Sequence, residues 1–140
     1  RATDKIVAVK EASGSIEQMQ AILDGRPENF LVLSGDDGLT VELVKRGGDG
    51  VISVAANTFP EKFCDCIHKA MSGNIAEAEA EMAQMNEPIN LLFKEGNPVG
   101  AKCMTSMMGI TLPEVRLPLV EATESLRDEI KKAVAEYELK

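Results

Sequence analysis

The sequence lacks several features that mark particular classes of protein. It has no tryptophan, one tyrosine, one histidine and three cysteines in 140 residues. Basic residues are few: 15 Lys and Arg stand against 23 Asp and Glu, and the formal net charge of −8 argues against a nucleic-acid partner. No apolar run approaches the roughly 20 residues that a helix needs to cross a bilayer. We therefore expect neither a nucleic acid nor a membrane as a partner.

The few cysteines and the single histidine do not form a metal-binding pattern. Cys64 and Cys66 are two residues apart on a predicted helix, so their side chains point in different directions, whereas zinc sites favour Cys-x-x-Cys or a second pair. Cys103 stands apart from them, and an odd number of cysteines fits a reducing cytoplasm. His68 lies on a predicted surface helix beside Lys69, with no catalytic partner visible in the sequence. The sequence therefore predicts no metal site and a cytoplasmic protein.

The first third of the chain predicts an α/β fold. Hydrophobic residues make up 44% and charged residues 27%, which is ordinary for a globular protein. Three short apolar runs, at residues 6–9, 30–33 and 50–54, are each followed by a turn sequence. An amphipathic stretch at residues 39–46 lies between the second and third runs. This alternation, which repeats about every 20–25 residues, predicts successive βα units and a parallel sheet.

Lys10 is the candidate reactive residue in this pattern. It ends the first apolar run, at the carboxyl end of a predicted strand, which is where α/β folds place their chemistry. Apolar walls would disfavour the ammonium ion, so that a neutral amine could attack a ketone and form a Schiff base. The alternative is a solvated lysine at the end of a strand.

The second half of the sequence predicts helices. Proline and glycine positions mark helices at residues 60–72 and 98–109, with Asn97 as the cap of the latter. A helix at residues 75–86 is interrupted or kinked by Pro88, and a last helix covers residues 121–137.

Three segments of the chain resemble the dihydrodipicolinate synthase family. They are Val-Ala-Val-Lys-Glu-Ala-Ser-Gly at residues 7–14, Leu-Ser-Gly-Asp-Asp at 33–37, and Gly-Gly-Asp-Gly-Val-Ile-Ser-Val at 47–54. The resemblance continues through Asn97-Pro98 and Leu117-Pro118 to the C-terminus. The family belongs to the pyruvate-dependent class I aldolases, with N-acetylneuraminate lyase as a sibling. The resemblance therefore covers essentially the whole chain. It is specific because three motifs occur in order and at matching spacing.

The resemblance implies a particular fold. The family folds as an eight-stranded (β/α)8 TIM barrel followed by a small helical domain, and such a barrel needs about 250 residues. This chain of 140 residues is therefore expected to be a C-terminal part, with the last three barrel strands. Residues 1–73 would hold the last βα units, and residues 74–140 the final barrel helix and the C-terminal helical domain.

The resemblance also implies a lyase. Lys10 would form an imine with pyruvate, and the resulting enamine would attack L-aspartate 4-semialdehyde to give 4-hydroxy-tetrahydrodipicolinate, a step of lysine biosynthesis through diaminopimelate. Gly35 would lie beside pyruvate. Ile52 would keep its side chain in the core and use its backbone carbonyl at the pyruvate site. No cofactor is implied, because the imine is itself the electron sink. The family's homo-oligomers imply a dimer or tetramer.

Several alternatives stay open in the sequence. The parent could be a sibling aldolase such as N-acetylneuraminate lyase, because the family's substrate arginine and proton-relay residues lie on strands before Lys10. The single tyrosine, Tyr137, matches none of them. The chain alone could be a catalytically silent fragment whose sheet has two open edges. Asp36 and Asp37 could be only a turn and a helix cap.

Overall fold

The structure, a computed structural model, describes residues 5–137. Residues 1–4 and 138–140, the ends of the two predicted domains, lie outside the described residues. The strands are β1 (Ala8–Glu11), β2 (Leu31–Ser34) and β3 (Gly50–Val51). The helices are α1 (Ile16–Gly25), α2 (Thr40–Lys45), α3 (Pro60–Met71), α4 (Ile75–Phe93), α5 (Val99–Met107) and α6 (Glu124–Glu136), with a 3₁₀ turn at Ala55–Asn57.

The chain divides into two compact units. The sheet unit contains the described residues up to Ser53 together with Asp65–Met82, and the helical unit contains Val54–Cys64 together with the described residues from Ala83 onward. Both units are thus built from two separate stretches of sequence. The division into domains at residues 1–73 and 74–140 stays a prediction.

The sheet unit is built around a small parallel sheet. Its strands run in the order β1, β2, β3, with Lys10 opposite Leu33 and Leu33 opposite Gly50. The predicted alternation of strands and helices is confirmed. The third strand is shorter than predicted: it ends at Val51, and the 3₁₀ turn begins at Ala55.

One face of the sheet packs against helices. Val32 of β2 is fully buried with Met19 and Leu23 of α1 and Leu43 of α2, and Val9 of β1 packs against the same cluster. Burying a side chain of this size contributes about 1.5–3 kcal/mol. A slip of one residue would turn these side chains to the other face, so this cluster sets the strand register.

The opposite face of the sheet is open within the described residues. Alternation along the strands puts Lys10, Leu31, Leu33 and Ile52 on this face. Leu31 is 44% exposed and Ile52 is 50% exposed. In the part of the chain described here the Ile52 side chain is thus half-exposed and not in a core, and its core position in the whole enzyme stays a prediction. The physical reason is that the helices of the sheet unit pack on the other face.

The helical unit is centred on α5 and α6. Their contact buries Val99, Met104, Leu126 and Ile130, all at most 4% exposed. Gly100 lets α5 approach the end of α4 closely, because a Cβ atom there would lie 2.5 Å from the carbonyl oxygens of Leu91 and Leu92.

Three predicted helix boundaries differ from the structure. Pro88 does not interrupt α4. Met85 and Ile89 are buried on either side of it, and their burial offsets the cost of the backbone hydrogen bond that proline removes. Asn97 does not cap α5: Pro98 occupies the cap position, without a side-chain hydrogen bond, and the helix ends before Gly109. Helix α6 begins later than predicted because Thr123 caps it, accepting a hydrogen bond from the Leu126 N–H.

Candidate functional site

The carboxyl edge of the sheet brings together the three predicted site residues. Lys10 lies near the end of β1, Gly35 directly follows β2, and Ile52 directly follows β3. The Ile52 N–H donates to the Ser34 carbonyl at 2.9 Å, which extends the β2–β3 pairing to this position. Because all strands are parallel, the three residues lie at one edge, as the family resemblance implies.

Gly35 makes room for the Lys10 side chain. A Cβ atom at Gly35 would lie 2.8 Å from Lys10 Cε and 2.4 Å from Ala12 Cβ, both closer than real Cβ contacts. The Gly35 N–H donates to the Glu11 carbonyl at 2.6 Å, which holds the two strand ends together. The sequence suggested that a glycine here lets substrate approach the backbone. The structure adds a second reason, which is the passage of the lysine itself.

The Lys10 side chain is exposed. Its amine makes no hydrogen bond or ion pair with any residue from 5 to 137, and its neighbours on the open face, Leu33 and Ile52, are apolar. Among these residues the apolar side chains border the lysine without covering it, and the apolar enclosure of Lys10 in the whole enzyme stays a prediction. The arrangement leaves the amine accessible to a small carbonyl compound.

The turn after Gly35 is held by its own polar groups. Ser34 Oγ donates to the Asp36 carbonyl at 2.7 Å and accepts from the Asp36 N–H at 3.1 Å. The Asp36 carboxylate accepts from the Leu39 N–H at 3.2 Å, directly before α2. This favours the turn interpretation for Asp36: its carboxylate bonds the N–H of Leu39, the residue at the cap position of α2, and stiffens the turn beside Gly35, whereas α2 itself has no side-chain cap.

Glu11 is a buried charged residue that the sequence reasoning missed. It is 4% exposed, and its Oε1 accepts from the Ser13 N–H at 2.9 Å and from Gln18 Nε2 at 2.8 Å. Burial raises the pKa of this carboxyl group, but the hydrogen bonds from Ser13 and Gln18 outweigh it, so that the pKa lies below its usual value. The signal was present in the alternation of β1, because Glu11 follows Val9 on the helix-covered face.

The two buried cysteines, Cys66 and Cys103, do not add a reactive centre. Burial, reinforced by the charge of Glu81, raises the pKa of Cys66 to about 11, and burial also raises the pKa of Cys103. Both thiols therefore stay protonated near neutral pH, which makes them poor nucleophiles and poor metal ligands. Among residues 5–137, no three His, Cys, Asp or Glu side chains lie close enough to hold a metal ion.

None of the helices between residues 5 and 137 has both the length and the apolar character needed to cross a bilayer.

Comparisons with known proteins identify the family. The model of the dihydrodipicolinate synthetase family matches residues 1–137. The chain belongs to this family. A 4-hydroxy-tetrahydrodipicolinate synthase of Azobacteroides pseudotrichonymphae is 45% identical over 131 residues, which are 94% of this chain and 44% of that protein. The chain thus spans about half the length of the curated relatives it matches.

Solved structures of dihydrodipicolinate synthases have the same fold over this region. The enzyme from Aquifex aeolicus superposes with a TM-score of 0.94 at 33% identity, over 99% of this chain and 47% of that one. A chloride-inhibited synthase from Acinetobacter baumannii, complexed with pyruvate, superposes with a TM-score of 0.91 at 30% identity, over 96% of this chain and 46% of that one. The resemblance to the dihydrodipicolinate synthase family is confirmed. The individual roles of Lys10, Gly35 and Ile52 remain predictions.

Proposed function

We propose that this chain is the Schiff-base-forming part of an enzyme that condenses pyruvate with L-aspartate 4-semialdehyde. The product is 4-hydroxy-tetrahydrodipicolinate, in the diaminopimelate route to lysine. The observation that carries the proposal is the accessible amine of Lys10 at the carboxyl edge of a parallel sheet, with its Cε atom against Gly35, in a chain of this family. The curated relatives are named 4-hydroxy-tetrahydrodipicolinate synthases, and one structural neighbour is described as complexed with pyruvate.

The proposed mechanism begins with imine formation. Lys10 Nζ attacks the ketone carbon of pyruvate, a carbon–nitrogen bond forms, and water leaves with the carbonyl oxygen. The protonated imine withdraws electrons, so a methyl proton is lost and an enamine forms. The enamine carbon then bonds to the aldehyde carbon of the second substrate, whose oxygen takes up a proton, and the imine to Lys10 is restored. The amino group of the second substrate attacks the imine carbon, which closes the ring and breaks the bond to Lys10 Nζ, so that the lysine leaves as the free amine. The imine supplies the electron sink that a cofactor would otherwise provide.

Gly35 and Ile52 would define the pyruvate position beside Lys10. Gly35 has no side chain and its backbone lies against Lys10 Cε, so in this proposal a small keto acid bound at the lysine also meets that backbone. The backbone of Ile52 is held at the same edge by its bond to Ser34. In this proposal its carbonyl faces pyruvate.

We propose further that β1, β2 and β3 are the last three strands of a (β/α)8 barrel. The open face that carries Lys10, Leu31 and Ile52 would then be the inside of the barrel, which in such folds is filled by side chains from alternate strands. The remaining strands would supply the apolar walls that Lys10 lacks here. The coverage of about half of each relative supports this assignment. The whole enzyme is expected in the cytoplasm as a dimer or tetramer.

Trapping with pyruvate tests the proposal. The whole enzyme is incubated with pyruvate, reduced with borohydride, and mapped by mass spectrometry. We expect one pyruvate adduct, on Lys10. Lys10→Arg should abolish it, because a guanidinium stays charged and is a poor nucleophile. Lys45→Arg, at an exposed ion-paired lysine, should retain it. An adduct on another lysine, or none, contradicts the proposal.

The acceptor aldehyde distinguishes the proposed synthase activity from that of the sibling N-acetylneuraminate lyase. The motifs at residues 33–37 and 47–54 favour aspartate semialdehyde over the N-acetylmannosamine used by the sibling lyase. Assay of both aldehydes with the whole enzyme should show a clear preference for aspartate semialdehyde. A preference for the sugar would keep the Lys10 chemistry but move the protein to the sibling activity.

A further inference from the structure

Glu11 lies directly after Lys10 but on the opposite face of β1. Lys10 is exposed on the open face, whereas Glu11 is 4% exposed on the helix-covered face. A carboxylate is costly to bury unless hydrogen bonds compensate for the lost water. The mechanism above does not use Glu11. Its burial beside the candidate nucleophile therefore needs its own explanation.

The Glu11 carboxylate holds the turn that follows β1. Its Oε1 atom accepts two hydrogen bonds, one from the backbone of Ser13 in the turn and one from Gln18 in the first turn of α1. Its Oε2 atom is buried and has no hydrogen-bond partner in the part of the chain that the structure describes. A single oxygen thus joins the end of the strand, the turn and the helix, and hydrogen bonds to a charged group are stronger than neutral ones.

This turn reaches Lys10 through Gly35. The Glu11 carbonyl accepts from the Gly35 N–H at 2.6 Å. Ala12, the first residue of the turn, and Lys10 Cε both lie within 2.8 Å of the place where a Cβ atom on Gly35 would be. A displacement of the turn would therefore change the surface against which the Lys10 side chain rests.

We propose that Glu11 is a positioning residue for Lys10. Through Ser13 and Gln18 its carboxylate fixes the turn, and through Ala12 and Gly35 the turn fixes the lysine side chain for attack on a keto acid. This inference rests on the proposed function, since it assumes that Lys10 is the nucleophile. A shift of about 1 Å in a reacting group can reduce the rate by roughly 100-fold.

The test compares Glu11→Ala with Glu11→Gln in the whole enzyme. The rate constant of borohydride trapping at saturating pyruvate is measured per folded molecule, so that a loss of stability alone does not change it. We expect roughly 10- to 100-fold slower trapping in Glu11→Ala. We expect a rate close to wild type in Glu11→Gln, because the amide oxygen can accept both hydrogen bonds and its NH₂ group replaces an oxygen that makes none. Glu17→Ala is the control, since Glu17 is exposed and bonds to Ser15 in the same region.

A second pair of variants keeps the test informative if Glu11→Ala does not fold. Gln18→Ala removes one of the two donors to Glu11 from an exposed position, and should slow trapping several-fold in the same direction. Gln20→Ala removes exposed hydrogen bonds on the same helix, one to Asp24 and one from Arg46, and should leave the rate unchanged.

The outcomes separate this inference from the proposed function. If the wild-type enzyme forms no adduct on Lys10, the proposed function fails. If it does, but Glu11→Ala and Gln18→Ala trap pyruvate at the wild-type rate per folded molecule, the positioning role is wrong. Equal losses in Gln18→Ala and Gln20→Ala, or no rescue in Glu11→Gln relative to Glu11→Ala, would also overturn it.

Discussion

The sheet unit and the helical unit differ in how completely their backbone groups are hydrogen-bonded and their apolar faces are covered. In the helical unit, α5 and α6 make their backbone hydrogen bonds internally and bury a shared apolar contact. In the sheet unit, one face of a three-stranded sheet is packed, while the other face and both outer edges are open within residues 5–137. An open strand edge presents backbone groups that another strand can pair with.

The two units also expose different kinds of apolar surface. In the helical unit it lies on the connector between α5 and α6, where Leu117 is 87% and Val120 is 70% exposed. In the sheet unit part of it is the face that carries Lys10, where Leu31 and Ile52 are exposed. The candidate nucleophile therefore lies on an apolar face that the described residues leave open. We expect the chemistry proposed for Lys10 to depend on what covers that face in the whole enzyme.

The largest expected effect compares two glycines, Gly35 in the sheet unit and Gly100 in the helical unit, that each leave no room for a Cβ atom. In the whole enzyme, Gly35→Ala would push a methyl group into Lys10 Cε and Ala12, so pyruvate trapping should fall by roughly 100-fold. Gly100→Ala would press on the carbonyl oxygens of Leu91 and Leu92, which should cost about 1–3 kcal/mol of stability. Trapping per folded molecule and thermal unfolding are measured for both. Equal trapping losses would show that the two regions do not differ in function.

The next effect separates the two faces of the sheet. In the isolated chain of residues 1–140, Leu31→Lys puts a charge on the open face and should reduce self-association while the helices remain. Val32→Lys puts the charge into the buried cluster and should cost roughly 3–5 kcal/mol, because a buried charge is left uncompensated. Sedimentation equilibrium and circular dichroism report the two outcomes.

The wild-type chain provides the reference for that comparison. We expect it to self-associate through the open edges and face, and to show no turnover in a coupled assay. A monomeric and active wild-type chain would contradict the interpretation of the open face. So would a Val32→Lys variant as stable as Leu31→Lys.

The smallest expected effect concerns acid. Hydrogen bonds lower the pKa of Glu11 in the sheet unit, against the opposing effect of burial, and hydrogen bonds from Thr123 lower the pKa of Glu95 in the helical unit. A lowered folded-state pKa stabilises the fold above the unfolded-state pKa, and this stabilisation is lost as the pH falls through the folded-state value. Glu95 is only partly buried and its hydrogen bonds with Thr123 are exposed to solvent, so its contribution should be weaker than that of Glu11.

Urea midpoints of the whole enzyme, measured from neutral pH down to below the usual carboxyl range, check this. The fall of the urea midpoint with decreasing pH should become less steep in Glu11→Gln than in Glu95→Gln. An unchanged slope in Glu11→Gln would show that the buried carboxylate does not contribute.

Local patterns in the sequence determined much of this protein. Short apolar runs followed by turns predicted the strands, and their parallel order placed Lys10, Gly35 and Ile52 at one edge. The ordered motifs identified the family without the structure, because each motif combines residue type with spacing. Such features depend on residues close together in the chain.

Only the tertiary structure decided which surfaces are covered. It showed Ile52 exposed, Pro88 within a continuous helix, and Gly35 packed against the Lys10 side chain. It also revealed Glu11 as a buried anchor, although the sequence suggests an ordinary charged residue after a strand. The physical reason is that burial and close approach depend on which residues meet across elements, and the packing of distant parts of the chain sets those contacts.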